Sequence, residues 1–165
     1  MAITSLRGNP VHTVGELPAV GDKAPAYTLA GSDLTDIGSD SFSGSRVVLN
    51  IFPSLDTATC AASVRRFNEL AASFDNTVVV CASVDLPFAM RRFCVAEGIE
   101  DVVTGSAFRS SFGTDFGMTM TDGPMRGLLA RSVVVLDTDG SVLHTELVPD
   151  IGTEPDYAAA TAALG

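Results

Sequence analysis

From residue 47 onward, apolar and polar positions fall into regular blocks. VVLNIF at 47–52 is apolar with little alternation, the pattern of a strand covered on both faces in a parallel sheet. Beyond it, Cys60, Val64, Phe67, Leu70, Ala71 and Phe74 recur every three or four positions, which predicts one face of a helix that begins near Thr57. TVVVCASV at 77–84 predicts a second buried strand. LPFAMRRFCVAEG predicts a second helix over Pro87 to Glu97, with a proline in its first turn and Gly98 as its stop. DVVTGS at 101–106 predicts a third strand, and AFRSSFGTDFGM a helical turn or loop. In ARSVVVLDTDGSVLHTELV two strands flank an Asp-Thr-Asp-Gly turn, a hairpin signal, and EPDYAAATAAL closes the chain as a helix.

The earlier part is less regular. ITSLRGNPVHTVG predicts a hairpin around a Gly-Asn-Pro turn, and residues 21–46, rich in Gly, Ser and Asp, predict loop with short strands. Parallel strands need right-handed crossovers, so the two early strands should pair side by side with a helix over the sheet, and the late hairpin should extend that sheet. The order is thioredoxin-like: an α/β fold with a central mixed sheet flanked by helices and an N-terminal β-hairpin extension. It is expected to form a single domain over residues 1–165.

With 165 residues, 46% of them apolar and 18% charged, a core sufficient for folding without staples is expected. A formal net charge of −10, with the basic residues scattered apart from Arg65/Arg66 and Arg91/Arg92, argues against nucleic acid as a partner. No apolar run has the length of a membrane span and the N-terminus lacks the pattern of a signal peptide, so no membrane partner and a cytoplasmic location are expected. Cys60, Cys81 and Cys94 form no Cys-x-x-Cys pair or disulfide framework. His12 and His144 have no ligand-type spacing, so a metal is not expected.

Cys60 draws the chemistry. The predicted layout puts it where a strand has ended and a helix is starting, at the carboxyl edge of the sheet where open α/β folds hold their sites. Asp56 or Thr57 would cap the helix, leaving Cys60 in or near the first turn, where the positive end of the dipole favours thiolate. Full ionisation of an ordinary cysteine gains at most about thirtyfold, about 2 kcal/mol, so further groups must hold the electrophile and stabilise the departing oxygen.

Pro53, Thr57 and Cys60 form Pro-x-x-x-Thr-x-x-Cys, and this stretch, NIFPSLDTATCAASVRRFNE, resembles the peroxidatic motif of the peroxiredoxin family in its thiol peroxidase branch. SVDLPFAMRRFCVAEG, GPMRGLLARSVVVLD, TELVPDIGTEPDY and LRGNPVHTVGELPAVGDKAP extend the resemblance over essentially the whole chain. The resemblance implies a thiol-dependent peroxidase acting on hydrogen peroxide and organic hydroperoxides, without a cofactor. By the same resemblance, Cys60 is the peroxidatic cysteine, Thr57 bonds both sulfur and peroxide through its hydroxyl, Pro53 shields the pocket, and Arg131 stabilises the thiolate and the developing charge on oxygen. It also implies that Cys94 resolves the sulfenic acid as an intramolecular disulfide, that thioredoxin reduces this disulfide, and that the protein is a homodimer. Ala58 and Thr59 depart from the family's common proline and valine, a change in the pocket wall that removes no proposed catalytic group.

Those assignments meet a geometric difficulty. Cys94, seven residues beyond the helix start at Pro87, should lie roughly 10 Å down its helix axis. A disulfide tolerates Cα atoms no more than about 7 Å apart, so the first turn at Cys60, the segment near Cys94, or both should unwind in each cycle. Cys81 is expected in the core, Arg91 and Arg92 on a charged helix face, and the two histidines in ordinary strands. Other classes sharing the fold are a general disulfide oxidoreductase, disfavoured by the missing Cys-x-x-Cys, and a redox sensor or interaction module that keeps Cys60 without turnover. A cysteine hydrolase lacks an evident histidine base.

Overall fold

The computed structural model describes residues 1–165. Strand β1 (Ile3–Leu6) and β2 (Asn9–His12) form a separate antiparallel hairpin. Its turn is Arg7-Gly8 and not the expected Gly-Asn-Pro, because both residues take left-handed φ, 53° and 82°, as a two-residue hairpin turn requires. Pro10 instead lies within β2, opposite Ser5.

Seven strands make the main sheet in the order β4-β3-β7-β6-β5-β8-β9. They are β3 (Thr28–Ala30), β4 (Asp36–Gly38), β5 (Arg46–Ile51), β6 (Thr77–Ser83), β7 (Val103–Ser106), β8 (Ser132–Leu136) and β9 (Val142–Leu147). β5, β6 and β7 run parallel, while β8 and β3 pair antiparallel at the two sides, so the sheet is mixed. The expected pairing of the two early strands and the addition of the late hairpin both hold. The short strands anticipated within 21–46 become the opposite edge of the sheet.

Helix α1 (Ala58–Ala71) follows β5, α2 (Pro87–Glu97) follows β6, the single turn α3 (Phe112–Asp115) follows β7, and α4 (Tyr157–Ala163) ends the chain. α2 begins at its proline and stops at Gly98, whose φ of 67° closes the helix in the left-handed region. The apolar run of β5 is explained by two cores. Val47, Leu49 and Ile51 pack with Tyr27, Leu29, Phe112 and Phe116, whereas Val48 and Phe52 pack with Cys60, Val64, Phe67, Val79 and Met90 beneath the helices. Successive strand residues point to opposite faces, so a strand buried on both sides shows no polar alternation.

The helical stripe expected from the spacing is the buried face of α1: Cys60, Val64 and Phe67 are each 0% exposed. Phe67 also meets Tyr157 of α4 edge-on, with ring centroids 5.1 Å apart. Phe67 therefore fastens α1 to both sheet and final helix. Replacing it with alanine should cost about 3–5 kcal/mol of stability, read as a lowered denaturant midpoint at unchanged slope.

Candidate active site

The local sequence explains how Cys60 is presented. Pro53, buried, follows the end of β5 and turns the chain away from the sheet. Thr57 is the N-cap of α1: its backbone is extended and its Oγ1 accepts the Cys60 N–H at 3.2 Å. The same hydroxyl donates to the Ser54 carbonyl at 3.2 Å. Of the two expected caps, Thr57 is the one used. The bond from Thr57 to the sulfur is not formed in this conformation, because the hydroxyl is committed to the turn and the cap.

Arg131 stands immediately before β8 and reaches the sulfur of Cys60. Its Nη2 lies 3.2 Å from Cys60 Sγ, and its Nε donates to the Ile151 carbonyl at 2.8 Å. Arg131 is 1% exposed, no carboxylate lies within ion-pair distance of it, and its Nη1 has no hydrogen-bond partner. A buried cation without an anion is costly, so the sulfur facing it is the group able to balance its charge.

Ile151 belongs to a segment that walls the site. Thr59 Oγ1 donates to the Gly152 carbonyl at 3.2 Å, joining the first turn of α1 to this segment. The N-terminal hairpin clamps it from outside: Ser5 N–H donates to the Pro149 carbonyl at 3.0 Å, Ile151 N–H to the Ser5 carbonyl at 2.8 Å, and Thr4 Oγ1 to the Val148 carbonyl at 2.8 Å. Neither the hairpin nor Ile151 was assigned a part from the sequence, since their contact joins residues more than a hundred positions apart. Cys60 itself is 0% exposed.

Beneath α1, Asn50 Nδ2 donates to Ser63 Oγ at 3.2 Å and approaches Cys81 Sγ at 3.7 Å, and Ser63 Oγ donates to the Cys60 carbonyl at 2.8 Å. Cys81 is fully buried in the core, as expected. Burial pushes its thiol up to about 12, with the Asn50 contact opposing and the charge of Cys94 adding to that rise.

Cys94 stands apart from Cys60. It is half-buried on α2 and lines a cavity of about 600 Å³ with Gly31, Asp33, Arg91, Val95 and Thr104, a cavity that includes neither residues 53–60 nor Arg131. All three cysteines are free, and burial raises the Cys94 thiol above its ordinary value. The structure thus brings Thr57, Cys60 and Arg131 into contact and buries Pro53 in the loop before the helix, while Cys94, on α2, packs against the core that contains Cys60 without a hydrogen bond to this group. Arg91 and Arg92 are exposed on α2. His12 bonds Asp122 through Nδ1 at 2.6 Å, and His144 lies in β9. No cluster of three or more His, Cys, Asp or Glu side chains is arranged to hold a metal.

A thioredoxin-like sheet with a single cysteine capped at a helix start and faced by a buried arginine defines a thiol-based redox protein. The family model for Redoxin matches residues 19–161, and the chain belongs to that family. It is 62% identical over 165 residues to a thiol peroxidase of Mycobacterium tuberculosis, covering 100% of this chain and 99% of that protein. It is 56% identical over 164 residues to a thiol peroxidase of Corynebacterium glutamicum, covering 99% of each. Among solved structures, a peroxiredoxin-like protein from Aquifex aeolicus is 35% identical with a TM-score of 0.94, over 99% of this chain and 96% of that one. A thiol peroxidase from Chromobacterium violaceum, at 19% identity and a TM-score of 0.92, shares the fold over 99% of this chain and 96% of its own.

Arg131→Met tests the charge balance. Losing one partner of this buried contact, together with the hydrogen bond to the Ile151 carbonyl, should lower the melting temperature. Alkylation of Cys60 at neutral pH, followed by mass spectrometry, should slow about tenfold or more, as expected when a neighbouring cation is lost.

Proposed function

We propose that this chain is a thiol-dependent peroxidase whose Cys60 thiolate attacks a hydroperoxide. The observation that carries the reading is the Arg131 guanidinium 3.2 Å from Cys60 Sγ, with a second nitrogen, Nη1, unpartnered and available to a substrate oxygen. The sulfur takes the terminal oxygen, the O–O bond breaks, and the other oxygen leaves as water or an alcohol once protonated. Cys60 becomes a sulfenic acid. Arg131, always charged, stabilises the sulfur before the step and the departing oxygen during it. Thr57 holds the helix turn that presents the sulfur and, on rotating away from the Ser54 carbonyl, has a hydroxyl to offer the peroxide. Pro53 lines the pocket without an N–H that competes for substrate.

Cys94 then attacks the sulfenic sulfur, forming the Cys60–Cys94 disulfide and releasing water. Two features support a conformational step before this attack. Cys60 is fully buried while Cys94 lines a surface cavity that does not include it, and burial shifts the Cys94 thiol upward, away from the thiolate that attacks. Local unwinding relieves both. The reading extends to a thioredoxin-type reductant, a homodimer and a cytoplasmic setting, and the family likeness supports it.

Peroxide consumption coupled to thioredoxin, thioredoxin reductase and NADPH should continue for many turnovers, and Cys60→Ser should abolish it. A single stoichiometric oxidation would instead indicate a sensor. Mass mapping after one equivalent of peroxide should recover the Cys60–Cys94 disulfide, and Cys94→Ser should stop at sulfenic acid. Because the Cys94 thiol is shifted upward in the folded state, the rate of disulfide formation should keep rising with pH beyond the ordinary cysteine value of about 8.5, read in single-turnover experiments.

A further inference from the structure

Asp85 lies between β6 and α2, outside the group assembled around the sulfur. Its carboxylate joins two segments that the proposed cycle must move relative to one another. Oδ1 accepts the Ser54 hydroxyl at 2.8 Å, and Oδ2 accepts the Leu55 N–H at 2.9 Å and the Ser83 hydroxyl at 2.5 Å. The backbone of Asp85 is itself fixed, its N–H donating to Ser83 Oγ at 3.1 Å and its carbonyl accepting the Ser106 hydroxyl. Ser83 and Ser106 are both 0% exposed at the ends of β6 and β7, so the carboxylate stands on a rigid base.

From Asp85 the bonding continues without a break to the reactive cysteine. Ser54, held by Asp85, offers its Oγ to the Asp56 N–H at 3.1 Å and its carbonyl to the Thr57 N–H at 3.1 Å and the Thr57 hydroxyl. Thr57 in turn accepts the Cys60 N–H. In the other direction Asp85 runs directly into Leu86 and Pro87, the start of the helix that bears Cys94. Three donors converge on one side chain, a demand that an acceptor-only carboxylate meets and a carboxamide meets only in part.

We propose that Asp85 is a positioning residue that clasps the 53–57 loop to the root of α2, holding the first turn of α1 wound so that Cys60 is poised for peroxide. Opening of the clasp releases that turn. The clasp acts on the first chemical step of the reaction proposed above and does not depend on which thiol resolves the sulfenic acid.

The test compares reduced parent, Asp85→Ala, Asp85→Asn and Ser54→Ala proteins, the last removing one of the three bonds to the carboxylate, and the contact with the Asp56 N–H, while leaving the carboxylate in place. Amide hydrogen exchange over residues 54–61 should quicken about tenfold or more in Asp85→Ala, the weight of a charge-assisted hydrogen bond, while β5 exchanges as in the parent. Ser54→Ala and Asp85→Asn should fall between. In the same order, sulfenic acid formation at Cys60 with hydrogen peroxide, measured in a Cys94→Ser background with a sulfenate-selective probe, should slow. Unchanged exchange at 54–61, or faster exchange with no slowing of Cys60 oxidation, would overturn the clasp. So would exchange that quickens equally across the whole chain in both Asp85→Ala and Ser54→Ala. Should the parent yield sulfenic acid but no Cys60–Cys94 disulfide, the resolving assignment fails while these readouts stand.

Discussion

A buried guanidinium that has no carboxylate to neutralise it is the constraint around which this molecule is arranged. Arg131 is almost wholly withdrawn from water, and the polar partners it has found are a backbone carbonyl and the sulfur of Cys60. Such a charge raises the free energy of the folded state unless something negative comes to meet it. The sulfur of Cys60 is the group the fold sets in front of that charge.

Keeping the two groups together requires support from distant parts of the chain. β8 delivers Arg131 from the antiparallel side of the sheet, and α1 delivers Cys60 from the parallel side. The Ile151 segment locks the guanidinium plane, Ser63 and Asn50 tie the Cys60 carbonyl to the central strand, and the bonds around Ser54 fix the loop that enters the helix. Catalytic geometry of this kind comes from rigid elements with hydrogen-bonded backing. In this arrangement the sulfur of Cys60 is fully buried while Cys94 is half-buried on α2, and both cysteines are free.

The parts of this architecture legible in the sequence are those with a local cause. The unbroken apolar run of β5, the three-and-four spacing of α1 and the Pro87 and Gly98 bounds of α2 each record physics acting within a few residues. Pro53, Thr57 and Cys60 were visible as a motif, because all three serve one turn of backbone. The expected Gly-Asn-Pro turn lies one position late: Gly8 does turn, but with Arg7, and the pairing of Ser5 with Pro10 that draws Asn9 and Pro10 into the strand is decided only in three dimensions. The burial of Arg131 and the hairpin's grip on residues 148–151 left no trace in any window of sequence. Asp85 is the same case: an acidic residue before a helix reads as an ordinary loop position until Ser54 and Leu55 are folded against it.

The clamp between the N-terminal hairpin and the Ile151 segment also bears on the order in which the protein is made. Thr4 bonds the Val148 carbonyl across 144 positions, and Ile151 carries the carbonyl that orients the arginine. A nascent chain on the ribosome can wind α1 and pair β5 with β6 long before residue 148 has emerged. Through that interval the guanidinium that faces its cysteine lacks the Ile151 carbonyl, and only when the two ends of the polypeptide close on each other is it fixed in place.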